Sequence, residues 1–402
     1  MKVIHIMPQT LPLVNFNPTD GWHARLSARI LRETDSYKME CWYMQRGLAE
    51  VTVLDKQGVI YRIFPSRRLK GVGVEWSSLL IRHLKQALRQ EPALIHIHGL
   101  FWPMSYYLIS AFSSYPMVVS EYLNHLSMCE KLLRRLRTKN PVLLIGITLL
   151  HLADAITQRV VLGKVDKIIV LNRLQRRYFA RFVGDAKVEV IPVGTDFDRF
   201  KPMGAIEARQ RLGLKADAKY ILYVGAMVQF KGLEYLLQAY ARVVEEIPEA
   251  ILLMAGDGPL RRKLEESSRK LGIGDGTRFV GYVDNEQLPL WCNAADVCVL
   301  PSWNEALGLT GVEALACERP YIATRVGGIP EVVETFKAGY LVEPRDPSAL
   351  AEAIIQVLRM PQAFHVDRIN GEKSYDWKYV ARRFIDVYER VAPERLSTVH
   401  KL

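Results

Sequence analysis

At 402 residues the chain is longer than one hydrophobic core ordinarily serves, which predicts two domains of about 200 residues each. An apolar content of 49% excludes intrinsic disorder, and five scattered cysteines without paired spacing point to a reducing compartment and away from structural zinc. The net charge of +11 is concentrated: residues 1–200 hold 28 Lys+Arg against 16 Asp+Glu, leaving 26 against 27 for the rest. A basic half suits an anionic membrane face or an anionic substrate, and with no nucleic-acid module beside it nucleic acid ranks last.

Lys2–Met7 predicts a buried first strand, too short and without the small-residue cleavage site of a secretory signal. After a loop over 8–19, Asp20-Gly21 opens a helix with Trp22, Leu26, Ile30 and Leu31 at helical spacing. Trp22 and His23 at its start either pack in the core or face a sugar. Residues 51–64 have strand-like content, while Gly71 and Gly73 make no dinucleotide fingerprint because position 76 is Trp. Residues 76–90 predict an amphipathic helix with Leu79, Leu80, His83, Leu84, Ala87 and Leu88 on one stripe, ended by Glu91-Pro92.

Ala93–His98 reads as a strand of a parallel sheet, where ligands gather at the carboxyl ends. His98 and Gly99 lie at that end, with core and site readings both open for His98; His96 is deeper and reads as a core histidine. Phe101, Trp102, Tyr106 and Tyr107 form either a carbohydrate-stacking wall or core. Residues 116–120 are a further short strand, ending at Glu121-Tyr122.

Residues 129–139 interleave Lys131, Arg134, Arg135, Arg137 and Lys139 with Leu132, Leu133 and Leu136, a pattern that lies on anionic lipid or serves as a solvated helix face. The apolar stretch 141–155 is interrupted by His151 and Asp154 and is shorter than the ~20 residues of a spanning helix, so it reads as buried or interfacial. Strands at 167–171 and 188–192 flank a helix over 173–182.

The same plan restarts with a strand at 220–225 and a helix from Gly232 that turns Leu233, Leu236, Leu237 and Tyr240 inward. Lys231, beside that helix mouth, is placed for a diphosphate. The sheet continues over 250–258 and 277–283, and a helix over 284–293 leads to Leu300–Ala316. There a strand breaks at Pro301-Ser302, a polar loop follows, and a helix opens near Leu309 or Thr310. Gly308 lets the backbone approach a ligand, and the amides of Leu309, Thr310 and Gly311 point from the helix mouth, where an anion is favoured. Glu305 before the mouth and Glu313 about one turn inside bracket that anion with hydroxyl acceptors, an arrangement suited to a nucleotide sugar.

Glu305 and Glu313 as E-x7-E around Gly308, with Ala295–Ser302 before and Arg325–Glu331 after, resemble the signature of family 4 retaining glycosyltransferases, the glycosyl transferases group 1 of GT-B fold. The resemblance implies an α/β fold of two doubly wound Rossmann-like domains with a cleft between them. Residues 1–196, joined by a returning helix at 378–402, would bind the acceptor; residues 197–377 would bind the nucleotide sugar, with a hinge near Trp377. It implies a hexosyltransferase with no cofactor beyond a UDP- or GDP-linked sugar, and metal independence is expected on the reading that the chain holds no Asp-x-Asp pair. Lys231 and the amides after Gly308 would neutralise the diphosphate, Glu313 would hold the ribose, Glu305 the sugar hydroxyls, and the backbone near Val280 the base.

In the first domain the resemblance implies a loop facing the diphosphate, of which Gly21 remains, and a sugar-contacting strand end, where this chain has Tyr122, with His125 three residues on. Tyr122 and His98 complete the expected catalytic set. Ala226 stands where an arginine or small residue follows the strand glycine. The product would be a cell-surface glycan or its lipid-linked precursor, made by a cytoplasmic enzyme at the inner membrane face. Two other readings stay open: a nucleotide-sugar epimerase using His98, His125 or Glu121, and a scaffold with a decayed site.

Overall fold

The computed structural model describes residues 1–11, 21–68, 75–100, 102–122, 158–360 and 364–399. The basic segment at 129–139, the apolar stretch at 141–155, Asp20, Gly71, Gly73, Phe101 and His125 lie outside them. The chain forms two compact units, Met1–Gly194 with Trp377–Leu402, and Thr195–Asp376.

The first unit is built on strands β1 (Lys2–Leu11), β2 (Lys38–Arg46), β3 (Thr52–Lys56), β4 (Val59–Arg68), β5 (Glu75–Trp76), β6 (Ala93–His98), β7 (Met117–Glu121), β8 (Lys167–Val170) and β9 (Val188–Val190). They run in the order β3-β4-β2-β1-β6-β7-β8-β9, with β5 also on β4. All pairings are parallel except those of β4 with β3 and β5. Both faces of the sheet are covered. Ile4, Ile6, Trp42 and Phe64 pack toward Leu80 and Leu84 of the helix Ser78–Gln90, while Val3, Met7, Cys41 and Tyr43 pack toward Leu26, Ile30, Phe384 and Tyr388.

Three expectations change here. Residues 51–64 are not one strand but a hairpin, turned at Gln57-Gly58 where both residues are left-handed (φ +57° and +76°), as a two-residue connection of right-twisted strands requires. The helix expected from Trp76 starts at Ser78, because the Ser77 hydroxyl accepts from the Leu80 amide and caps it, and Trp76 pairs with Arg67 in β5. β2 escaped the sequence reading. Its residues Met39–Met44 are all buried, so no apolar/polar alternation marks it.

The second unit has β10 (Lys219–Val224), β11 (Ala250–Ala255), β12 (Thr277–Gly281), β13 (Val297–Leu300), β14 (Tyr321–Thr324) and β15 (Tyr340–Val342). All are parallel, in the order β12-β11-β10-β13-β14-β15. The order reverses between β10 and β13, and it is at such a switch point, outside the carboxyl ends, that doubly wound sheets bind ligands. The helix Leu233–Glu246 buries Leu233, Leu236, Leu237 and Tyr240 against this sheet, as its period predicts. The chain leaves the unit after the helix Arg368–Tyr375, and Trp377 begins the long helix Trp377–Val399 that belongs to the first unit. Among the described residues no helix is long and apolar enough to cross a membrane.

Candidate active site

Both strands at the switch point of the second unit lead directly into the motif residues. After β10 a 3-10 turn, Gln229–Lys231, ends at Gly232, whose φ of +69° starts the following helix. A β-carbon at Gly232 would stand 2.1 Å from the Pro301 carbonyl, so the turn after β10 is pressed onto the loop after β13. A β-carbon at Gly327 (φ +55°) would meet the Glu305 carbonyl at 1.6 Å, pressing the loop after β14 onto the same segment. These contacts bring the Lys231 ammonium to 2.5 Å from Glu305 Oε2, with the two side chains 17% and 16% exposed. Ser302 Oγ lies 3.5 Å from the same carboxylate oxygen.

The helix Leu309–Ala316 opens at Gly308, left-handed with φ +80°. The Leu309 and Thr310 amides, as the first two of the helix, have no preceding turn to bond to. Gly311 is different: its amide donates to the Gly308 carbonyl at 2.8 Å, so the expected third open donor is already engaged. Gly311 also packs on Tyr321, whose ring a β-carbon would meet at 2.4 Å. The buried Tyr321 hydroxyl has no hydrogen-bond partner among the described residues and lies close to Gly308. Glu313 is buried one turn inside the helix, near the thiols of Cys292 and Cys317, both pushed up in pKa. Cys41, Cys292, Cys298 and Cys317 are buried free thiols.

In the first unit, the switch point lies between β1 and β6. Their register sets His5 beside His96, and His98, two residues on, shares their face. The side chains form one hydrogen-bonded chain. Tyr122 Oη meets His98 Nδ1 at 2.7 Å, His98 Nε2 meets His5 Nδ1 at 2.7 Å, and His5 Nε2 lies 3.4 Å from Tyr388 Oη. Tyr388 in turn meets His96 Nδ1 at 2.7 Å, and His96 Nε2 meets Ser120 Oγ at 2.7 Å.

His96 is thus a satisfied core histidine, and His98 is equally tied. Burial drives the imidazoles toward the neutral form, holding His5 down to about 3 and His96 and His98 well below the ordinary histidine range. The three offer ligand atoms within 4.8 Å of one another, a metal-like cluster, yet all six ring nitrogens already have partners. Sequence reasoning missed His5 and Tyr388. The alternation His96-x-His98 beside a first strand with its own inward histidine was the available signal.

Gly21 caps the helix Trp22–Glu33, its carbonyl accepting from the Ala24 and Arg25 amides. Trp22 packs edge-on to Tyr122 (4.5 Å between centroids) and His98 (5.2 Å), and His23 lies 4.7 Å from His98. These rings converge at the carboxyl edge of the sheet. Trp102 and Tyr107 are more than a third exposed, whereas Tyr106 packs against the core, so the expected aromatic wall divides between surface and interior.

The family described as Glycosyl transferases group 1 matches residues 205–382. A D-inositol 3-phosphate glycosyltransferase of Catenulispora acidiphila is 32% identical over 268 residues, 63% of this chain and 63% of that protein. One from Streptomyces avermitilis is 35% identical over 233 residues, 54% and 50% of the two chains. Residues 205–382 belong to the group 1 glycosyl transferases. The matches span less than two thirds of these relatives' length. Among solved structures, sucrose-phosphate synthase from Thermosynechococcus elongatus aligns with a TM-score of 0.73 at 23% identity over 97% of this chain and 99% of its own. Anabaena HepE in complex with UDP aligns at 0.69 and 16% over 97% and 100%. The fold is GT-B.

Within the group 1 domain, Val280 lies at a bulge. The register passes from Met254↔Phe279 to Ala255↔Gly281 and leaves Val280 without a counterpart on β11, which frees its backbone at the carboxyl edge. Just before that domain, in the same unit, the chain carries one Asp-x-Asp triplet, Asp196-Phe197-Asp198, which corrects the expectation that no such pair occurs. Here the triplet shapes a turn: Asp196 Oδ1 accepts from the Arg199 amide, Phe197 is buried and Asp198 is exposed.

Proposed function

We propose that the protein is a retaining glycosyltransferase that moves a hexosyl unit from a UDP- or GDP-linked sugar to a saccharide or lipid-linked saccharide in cell-surface glycan synthesis. The observation that carries this reading is the Lys231–Glu305 pair, held at the switch point beside the open helix end at Gly308. An ammonium and two helix-mouth amides at the carboxyl end of one sheet suit the negative charge that builds on a departing diphosphate, the largest electrostatic demand of the reaction. Lys231 and the Leu309 and Thr310 amides supply that charge, and no divalent cation is assigned to the step.

Before the donor enters, Glu305 balances Lys231. Once the diphosphate engages the ammonium, the carboxylate turns to the sugar hydroxyls and stabilises positive charge at the anomeric carbon. Glu313 holds the ribose, and the freed backbone at Val280 reads the base. Tyr122, backed by His98, is assigned to the transferred sugar, and Gly21 to the diphosphate. Retention is what the family resemblance implies, and the mechanism it suggests is same-face attack, the leaving phosphate accepting the acceptor's proton, since no second carboxylate is assigned to attack the anomeric carbon. UDP as donor nucleotide is supported by the resemblance to HepE, solved with UDP. The basic character of residues 1–200 supports an acceptor at an anionic membrane face.

The test is nucleotide release from a panel of UDP- and GDP-sugars by wild-type protein, Lys231→Ala and Glu305→Ala. Release from one donor that both substitutions abolish is expected. Release that survives both would overturn the assignment, and no binding of any donor would favour the scaffold reading.

A further inference from the structure

We infer that Trp303 and Arg345 form a clamp that positions Lys231 against Glu305. The catalytic part of this inference rests on the transferase reading; the structural part does not. Trp303 stands two residues before Glu305, in the loop after β13. Its amide donates to the Phe230 carbonyl at 2.9 Å, and its indole Nε1 donates to the Gln229 carbonyl at 2.9 Å. Both carbonyls belong to the turn Gln229–Lys231. One residue therefore ties the loop of the carboxylate to the turn of the ammonium at two points, on either side of the strand-order reversal.

The indole is itself held. Arg345, in the loop after β15, places its guanidinium carbon 3.7 Å from the centroid of the Trp303 ring. A planar guanidinium on an indole face is the favoured form of cation–π contact. Arg345 also has φ +67°, a left-handed backbone that costs any residue with a β-carbon and that glycine adopts freely. Such strain persists where the surroundings over-determine it. The stacked guanidinium is the interaction that accounts for an arginine at this position. Loops from β10, β13 and β15 are thereby fastened in series, and the long Lys231 side chain starts from a fixed backbone.

Clamp and ordinary surface packing differ in what Arg345→Gly does. Glycine relieves the backbone strain, so the melting temperature holds or rises, yet the stacked cation is lost. Hydrogen–deuterium exchange of peptides covering 228–232 and 302–306 should then quicken. Trp303→Leu removes the stack and one of the two hydrogen bonds, and should raise exchange in both peptides more strongly, with Trp303→Phe between it and wild type.

In nucleotide release, Trp303→Leu should lower kcat roughly tenfold while donor KM moves much less, because a displaced ammonium weakens the interaction that matters most at the transition state. Unchanged exchange in Arg345→Gly and Trp303→Leu overturns the clamp. Faster exchange with unchanged kcat overturns its positioning role. Faster exchange in a protein whose wild type neither binds any donor nor releases nucleotide from one keeps the clamp and overturns the transferase reading instead.

Discussion

Lys231 and Glu305, 74 residues apart in sequence, meet at 2.5 Å where the second sheet reverses its strand order. Neither residue reaches the other through its own element. The contact exists because glycines at 232 and 327 allow neighbouring backbone to close on the loop after β13.

Removing one partner leaves the other charge mostly shielded from water and unpaired. Lys231→Ala is expected to cost on the order of 1–3 kcal/mol of stability, and Lys231→Met with Glu305→Gln together less than the two single changes summed. Urea denaturation of the four proteins closes this cycle. Additive losses would show that the pair is not energetically coupled. For nucleotide release, Lys231→Ala should lower kcat on the order of a hundredfold, the scale of a lost charge-stabilising donor.

Gly327→Ala and Gly232→Ala place a methyl group inside a carbonyl contact and force a left-handed backbone on alanine. Each should destabilise by at least about 2 kcal/mol and displace the Lys231–Glu305 pair. Gly204, with φ −59° and open space around it, is the milder control: as the N-cap of the helix Ala205–Arg211 it should lose no more than about 1 kcal/mol on change to Ala. Thermal melts of the three variants decide this, and equal losses at all three positions would contradict it.

The histidine chain predicts acid sensitivity. In the unfolded chain His5 takes a proton at its ordinary value of 6.5, but in the folded protein only near about 3. Between these values the unfolded state holds more protons. Stability is therefore full above about pH 6.5 and falls as pH drops below it, by up to about 1.4 kcal/mol per pH unit for each buried histidine. Melting temperature should fall from about pH 7.5 to about pH 5, less steeply in His5→Gln. A midpoint that stays constant over this range would mean the imidazoles are not held neutral by burial.

Tyr321→Phe removes a buried hydroxyl that has no partner among the described residues. Losing an unsatisfied polar group should leave stability unchanged or raise it by about 1 kcal/mol. If the melt shows a clear loss, the hydroxyl has a bonding role in the folded protein.

Local signals in the sequence were enough for the doubly wound plan. Helical stripes such as Leu233, Leu236, Leu237 and Tyr240, short apolar strands, and glycines at strand ends are set by neighbours a few residues away. The position of the E-x7-E pair around a helix start was legible for the same reason: Gly308 and the following helix are contiguous. Tertiary structure alone decided what met across strands. Complete burial hid β2, because a strand covered on both faces does not alternate. Register across β1 and β6 joined His5 to His96 and His98, and packing of the last helix added Tyr388, 292 residues from His96. Backbone contacts of 2.1 Å or less to the β-carbons that Gly232 and Gly327 lack brought Lys231 onto Glu305. A sequence specifies each of these elements by its own periodicity, but which side chains touch is set by strand order and register, which depend on the whole sheet at once.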